Sequence, residues 1–553
     1  MVGKVIGVNG GVIKIKPTTQ DIIMGEMVEI GELRLTGEII RILADYLVAQ
    51  VFEDTTGTKV GDFVYGSKAP LSISLMPGLI GNIFDGIGRP LAQIKEKHGV
   101  FIKPGAEQYS SKKYYVEILA KLGDVCDCGD IIALASETKV IKNKVMTSAT
   151  GEIVFIAEEG MYAPTDIIAK IKNEDGVIGV TMSQNWSIRQ LRPVKNKIPP
   201  KAPMITGQRV VDTFFPIAKG GTAAIPGGFG TGKTNLMHQL AKWSDADIIV
   251  YVGCGERGNE ITQVLEDFQV IVDPKTGSSI MERTVLIANT SNMPVSSREA
   301  SIYTGITIAE YYRDMGYLVA IMADSTSRYA EALRELSGRL EEMPAEEGFP
   351  AYLSSRLAAF YERAGYVENL NGTEGSITII GAVSPQGGDF SEPVTSQTKR
   401  FVKSFWALDR ELAYSRHFPA INWLTSYSEY LEDLTPYFNS QVGKNFMINR
   451  NKAMSLLVEE SNIMEIVKLI GSDILAEREK NILEISKLLR NTFLQQNAYH
   501  KFDTYVNLTK QAKMLQAIMD VYEKTKELIK QGTPMSVIKK SDIFEKTIIN
   551  KEV

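Results

Sequence analysis

A chain of 553 residues is too long for one ordinary hydrophobic core, and 44% hydrophobic with 23% charged residues is a globular composition, so three or four domains are expected and wholesale disorder is excluded. A net charge of −5 offers no broad attraction to polyanions, which argues against an extended nucleic-acid or anionic-membrane surface. Cys126, Cys128 and Cys254 are too few for a disulfide framework and lack the partners of a zinc site.

The N-terminal MVGKVIGVNGGVIKIK is interrupted by glycine and lysine before a signal-peptide core develops, and no stretch approaches the ~18 apolar residues of a membrane span. The expected location is cytoplasmic, with any membrane reached through partners. Residues 1 to 70 alternate short apolar runs (VIGVNGGVIKI, GEIIRIL, YLVAQVF) with glycine and acidic turns, which predicts a small β-barrel or sandwich. A second β-rich tract occupies 103 to 196, with DIIALASET, KVMTSATGEIVFIA and DGVIGVTM, and ends in the connector RPVKNKIPPKAP.

From about 218 to 385 apolar runs alternate with helical stretches, the pattern of a parallel sheet flanked by helices; the expected strands are DIIVYVG, RTVLIAN, YLVAIMA and SITIIGAV. Beyond about 440, leucine and charge recur at helical spacing, predicting a helical C-terminal domain.

Within the α/β region, GGFGTGKT runs from Gly227 to Thr234 and fits G-x-x-x-x-G-K-[ST]. Gly227, Gly228, Phe229, Gly230, Thr231 and Gly232 form a loop whose backbone N–H groups can curl around phosphates. Lys233 would reach the β- and γ-phosphates, and the Thr234 hydroxyl would ligate magnesium. The apolar lead-in TAAI and the helix-forming NLMHQLAKW supply strand, loop and helix in the required order. By residue frequencies alone such a match arises in a chain this long only roughly a few times in a hundred.

Three further features bear on hydrolysis. Asp324 ends the apolar run YLVAIMAD; an aspartate there is as well placed to cap the next helix, but beside a P-loop the magnesium role is preferred. In VGCGERGNE a glycine-rich turn presents Glu256 and Arg257 at a strand's carboxyl end, where a carboxylate can activate water and a guanidinium can hold a γ-phosphate. A solvated loop ion pair is the plain alternative. Arg328 and Arg339, after Asp324, have the charge such a site needs, but their position does not separate that role from an ordinary helix surface.

These segments, with ADSTSRYAEALRELSGRLEEMPAEEGFPAYLSSRLAAFYERAG and GGDFSEPVTSQTKRFVKSFWALDRELAYSRHFPAINWLTSYS, make the chain resemble, over nearly its whole length, the catalytic A subunit of vacuolar/archaeal-type rotary ATPases. The last segment carries Pro419-Ala420-Ile421-Asn422 and Ser426-Tyr427-Ser428, a shared signature of rotary ATPase nucleotide-binding subunits. The tract 103–196 looks like the extra domain that distinguishes this subunit from the bacterial and mitochondrial β type. The resemblance implies an N-terminal β-barrel (1–70), an inserted β-rich domain (103–196), a RecA-like α/β nucleotide-binding domain (71–102 with 197–435) and a C-terminal α-helical domain (436–553).

The resemblance also implies ATP/ADP and Mg2+ as cofactors. It gives Lys233 and Thr234 to phosphates and magnesium, Asp324 to magnesium, Glu256 to the attacking water, and Arg257 and Arg328 to the γ-phosphate. Phe418 looks like the aromatic that packs on adenine, and FLQQNAY, with Ala498, would close the other side. Implied partners are nucleotide-binding B subunits in an alternating hexamer, with central-shaft and peripheral-stalk subunits and a membrane rotor reached indirectly; no nucleic acid is implied. Departures are Gly228, Thr231 and Tyr329 within the motifs, and the charge pattern of ALDRELAYSRHFP; none removes a ligand atom. The rival readings are a RecA-like RNA or protein-export translocase, a non-catalytic nucleotide-binding subunit, and a scaffold with a decayed site.

Overall fold

The computed structural model describes residues 1–99, 104–105, 112–274, 276–471, 474–541 and 543–544. The expected boundary between residues 102 and 103 and the last residues of the expected C-terminal domain lie outside these. The chain divides into two compact units, Met1–Ile198 with Ala246–Val383 and Pro393–Phe401, and Pro199–Asp245 with Ser384–Glu392 and Val402–Val553.

The first unit begins with a closed six-stranded barrel. Its strands are Gly3–Asn9, Val12–Pro17, Glu26–Ile30, Leu35–Ile42, Leu47–Val51 and Phe63–Pro70, and it closes where Gly3 pairs with Val64 and Lys4 with Phe63. The two-residue period is the cause: along Val12–Pro17, Ile13 and Ile15 are buried while Lys14 and Lys16 face out. Val5, Val28, Ile30, Ile39, Ala49 and Val64 complete the filling.

The inserted tract is a sandwich of two four-stranded antiparallel sheets. One sheet holds Val125–Cys126, Gly151–Ile156, Ile167–Asn173 and Gly176–Thr181. The other holds Lys142–Met146, Ile131–Ser136, Tyr114–Ile118 and Gly160–Tyr162. Val116, Ala133 and Val145 from one sheet share a core with Ile153, Ile171 and Val180 from the other. The rest of the tract pairs elsewhere: Gln184–Ser187 with Ser72–Leu75, and Asn196–Ile198 with Gly365–Glu368.

Half-buried Glu137 fastens the sandwich to its surroundings. It accepts hydrogen bonds from the backbone N–H of Gly78 (2.8 Å) and Ile80 (3.0 Å), from the Tyr312 hydroxyl (2.8 Å) and from Asn143 Nδ2 (3.2 Å). Tyr312 belongs to the helix Val295–Asp314, which is buried along nearly its whole length.

Beside that helix runs a parallel sheet in the order Glu374–Val383, Leu318–Asp324, Ile248–Glu256, Thr284–Thr290, Ile83–Phe84. These strands contain the four expected apolar runs. Burial on both faces explains why the runs are continuous and not alternating.

The second unit holds the strand Thr222–Pro226, fully buried, parallel to Ser404–Phe405, which pairs antiparallel with Tyr427–Ser428. Its helices include Lys233–Trp243, Leu431–Gln441, Asn445–Ile470, Glu477–Leu488 and Leu508–Lys530. The last is capped by Asn507 and buries Gln511, Met514, Leu515, Ile518, Met519 and Thr525 on one face, at the spacing read from its sequence. Among the described residues no helix is long and apolar enough to cross a membrane.

Candidate functional site

The second unit contains the phosphate loop. It leaves the buried strand Thr222–Pro226 and ends at Gly232, whose left-handed backbone (φ 89°) starts the helix Lys233–Trp243. Gly230 also has positive φ, 78°. Only glycine takes such turns without strain, which is the physical content of the spaced glycines in GGFGTGKT.

A Cβ on Gly227 would lie 2.6 Å from Thr231 Oγ1 and 2.8 Å from Leu408 Cβ, so this position must also be bare. The Thr231 hydroxyl donates to Gly228 O at 2.8 Å, and Lys233 Nζ donates to Gly227 O at 2.6 Å and Gly228 O at 3.0 Å. The lysine is thus folded over its own loop, and Thr234 follows it in the helix's first turn. Phe229 is 85% exposed at the loop tip.

Phe418 stands beside this loop: a Cβ on Gly232 would meet its ring at 3.6 Å. The ring is 42% exposed, unlike the fully buried Phe493, which packs edge-on against Phe214 at 5.8 Å. Gln496 N donates to Phe418 O at 2.8 Å, so the 493–499 segment does run next to Phe418. Ala498, on that segment, is half-buried.

Asn422, Ser426 and Ser428 serve as struts. Asn422 Nδ2 donates to Asp409 Oδ2 at 2.9 Å, Ser426 Oγ accepts from Ala407 N at 3.0 Å, and Ser428 Oγ donates to Pro216 O. They hold the chain that carries Phe418 and touch no phosphate-loop residue through these bonds.

The first unit contains the carboxylates. Glu256 ends the strand Ile248–Glu256, and Asp324 ends its neighbour Leu318–Asp324, where Gly253 stands opposite Asp324. Burial, the nearby charge of Asp324, and the hydrogen bond and charge of Glu260 push the Glu256 carboxyl up to about 8, against the pull of Arg328. A carboxyl so raised is matched to taking a proton near neutral pH. Asp324 is buried, and its Oδ2 accepts from the Tyr251 hydroxyl at 3.1 Å. Burial, then the charge of Asp324, moves the Tyr251 phenol well above its ordinary value, so it stays a donor.

Arg257 is exposed at the N-terminus of the helix Gly258–Val270. Arg328 lies in the first turn of the helix Thr326–Arg339, paired with both oxygens of Glu331 at 3.0 and 2.8 Å. Between Cys254 and Glu256 the chain turns at Gly255, φ 71°; a Cβ there would sit 2.7 Å from Arg298 Cδ and 2.9 Å from Arg328 Cβ. Arg298, 9% exposed, donates to Ser291 O at 2.9 Å. The Glu256 turn therefore lies between two arginines.

Arg339 pairs with Glu335 at 2.5 Å, and its guanidinium abuts Gly10 of the barrel. Tyr329 is buried, with its hydroxyl 3.0 Å from that of Tyr303. The thiol of Cys254 is pushed up to about 12 by burial, so it is no nucleophile. Among the described residues no cluster of three or more metal-ligating side chains exists.

Sequence reasoning missed Tyr251, Glu260 and Arg298. Glu260 follows Glu256 by one helical turn, a spacing that signals proximity. Tyr251 sits inside an apolar run, where a hydroxyl with a functional partner looks like core, and Arg298 in SSREAS carries no motif.

Family models match in four consecutive blocks. Residues 2–68 match the ATP synthase alpha/beta family, beta-barrel domain, and 108–189 the ATPsynthase alpha/beta subunit barrel-sandwich domain. Residues 207–428 match the ATP synthase alpha/beta family, nucleotide-binding domain, and 435–538 the C-terminal domain of V and A type ATP synthase.

Among curated proteins, V-type ATP synthase alpha chain 2 of Clostridium tetani is 56% identical, covering 98% of this chain and 93% of its own. The V-type ATP synthase alpha chain of Halothermothrix orenii is 55% identical, covering 100% and 94%. The corresponding A-type ATP synthase subunit of a Desulfurococcus species is 54% identical, covering 95% and 91%. The assembled type III secretion ATPase EscN of enteropathogenic E. coli has a similar fold (TM-score 0.68, 24% identity, 93% of this chain and 99% of that one).

Proposed function

The chain belongs to the family of V-type and A-type ATP synthase alpha chains, and from that premise we propose that it is the subunit in which a rotary ion-translocating ATPase hydrolyses or makes Mg-ATP. It is an ATPase that binds ATP or ADP and works in a complex with other subunits. The finer partner set proposed is an alternating hexamer with nucleotide-binding B subunits, joined to central-shaft and peripheral-stalk subunits. We divide the chain functionally into barrel (1–70), inserted domain (103–196), nucleotide-binding domain (71–102 with 197–435) and C-terminal helical domain (436–553).

The observation that carries the catalytic reading is Glu256. It is a carboxyl at the carboxyl end of a parallel-sheet strand, raised to about 8 by burial and the charge of Asp324, which suits a base that takes a proton from water near working pH.

In that reading Lys233 exchanges its own loop carbonyls, Gly227 O and Gly228 O, for phosphate oxygens. Glu256 orients the attacking water and accepts its proton; Arg257 and Arg328 offset charge on the equatorial oxygens, with Arg328 leaving Glu331 to do so. Thr234 and Asp324 offer hard oxygen donors, the chemistry magnesium prefers, and Tyr251 fixes one Asp324 oxygen. Bound there, magnesium would neutralise phosphate charge. Phe418, held half-exposed beside Gly232, is proposed to stack on adenine, with the Ala498 segment alongside.

Such sites normally take an arginine finger from a neighbour, worth about 10³ to 10⁵ in rate. The test is steady-state hydrolysis by the purified chain and by the reconstituted complex. The chain alone is expected to be nearly inactive; a rate equal to that of the complex would overturn the shared-site reading.

A further inference from the structure

Arg410 raises a question that the site as described leaves open. A Cβ built on Gly228 of the phosphate loop would lie 2.7 Å from Arg410 Nε, 2.8 Å from Nη2 and 3.1 Å from Cζ. One built on Gly388, at the turn Gln386–Gly388 (φ 80°), would lie 3.6, 3.8 and 4.0 Å from Nε, Cζ and Nη2. The guanidinium therefore fills a notch between two bare glycines, one of them the second residue of the phosphate loop. All these residues belong to the second unit.

The side chain's origin is fixed. Arg410 follows Asp409, whose Oδ1 accepts from Leu412 N at 3.0 Å and whose Oδ2 accepts from Asn422 Nδ2 at 2.9 Å. Asp409 is thereby engaged on both oxygens. Among the described residues the Arg410 guanidinium forms no ion pair or hydrogen bond, and the residue is solvent-exposed.

A guanidinium has five N–H donors in a rigid fork that matches phosphate oxygens, and burying its flank against glycine while leaving those donors unpaired is costly unless an anion or water takes them. The loop itself offers little to it, because Gly228 O already accepts from Thr231 Oγ1 and Lys233 Nζ.

We propose that Arg410 is a second cation of the phosphate loop, which with Lys233 binds the terminal phosphates of the nucleotide, and that Gly228 is bare to admit it. This rests on the nucleotide-binding reading above. Its consequence is selectivity by phosphate count: Arg410 adds affinity for ATP and ADP that AMP does not share.

The test is calorimetric binding of ATP, ADP and AMP to the full chain, as wild type, Arg410→Ala, Arg410→Lys and Gly228→Ala, with thermal melts to verify folding. Arg410→Ala is expected to weaken ATP and ADP about tenfold, the loss of roughly one charge-assisted hydrogen bond, with AMP unchanged. Arg410→Lys should recover part of the loss. Gly228→Ala, which evicts the guanidinium, should reproduce it and add little to Arg410→Ala in the double variant. Unchanged ATP affinity in Arg410→Ala, or an equal loss for AMP, would overturn the inference. A wild-type chain that binds no nucleotide would instead overturn the reading beneath it.

Discussion

The Tyr251 hydroxyl donates to Asp324 Oδ2 across 3.1 Å, between adjacent parallel strands, with both residues buried. Tyr251 is itself held edge-on by Phe268 at 5.6 Å, so the donor is fixed by packing before any ligand arrives. Tyr251→Phe keeps the ring and removes the donor. The expected result is a loss of about 1–3 kcal/mol in stability and a rise of roughly tenfold or more in the Mg2+ concentration giving half-maximal turnover. Mg2+ titration of the reconstituted complex and thermal melts measure the two; an unmoved Mg2+ dependence would show that Tyr251 is only core.

Glu256 makes the protein's stability depend on pH in a direction opposite to that of an ion-paired carboxylate. Its folded value, about 8, lies above the ordinary 4.5, so between these the folded state holds a proton that the unfolded state has released. Stability contributed by Glu256 is present below about 4.5 and lost as pH rises through about 8. Glu256→Gln should accordingly be more thermostable than the wild type at pH 8.5, with the advantage shrinking toward pH 5. Parallel melting curves across that range test this.

The inserted sandwich depends on half-buried Glu137, which collects two backbone N–H groups, a phenol and an amide. Glu137→Ala orphans those donors, at about 1–3 kcal/mol for each one left unsatisfied. The expected outcome is a lower melting temperature together with faster proteolytic cutting near residues 76–81. Melts and limited proteolysis of the variant check it.

Much of this architecture can be read from the sequence, for identifiable reasons. The strands ending at Glu256 and Asp324 are buried on both faces, so they stand out as unbroken apolar runs, and the phosphate loop needs glycine where φ is positive, at Gly230 and Gly232. The residues that stay hidden act through tertiary contact. Tyr251 looks like one more apolar strand residue until Asp324 is seen beside it, and Arg410 looks like a surface charge until Gly228 is found against it. Arg339, which sequence position left open between site and surface, reaches the barrel turn at Gly10 because the helix Thr326–Arg339 carries it there. The pairing of Thr222–Pro226 with Ser404–Phe405 also escapes local pattern, since the two strands lie far apart along the chain.

Phe418 is half-exposed beside Gly232, where an aromatic of the core would be covered. Phe418→Ala is expected to cost about 1–3 kcal/mol of ATP affinity, the usual worth of a base stacked on an aromatic ring. Pyrophosphate, which has no base, should bind equally to both proteins. Competition binding separates the cases; equal losses for ATP and pyrophosphate would mean that the ring supports the loop and not the base.

The central claim is that Glu256 activates water for attack on the nucleotide, and the most direct measurement is hydrolysis by the reconstituted complex carrying Glu256→Gln, with ATP binding measured on the same preparation. The account predicts turnover lowered by roughly 10² to 10⁴ with ATP binding retained. Turnover close to that of the wild type would contradict it.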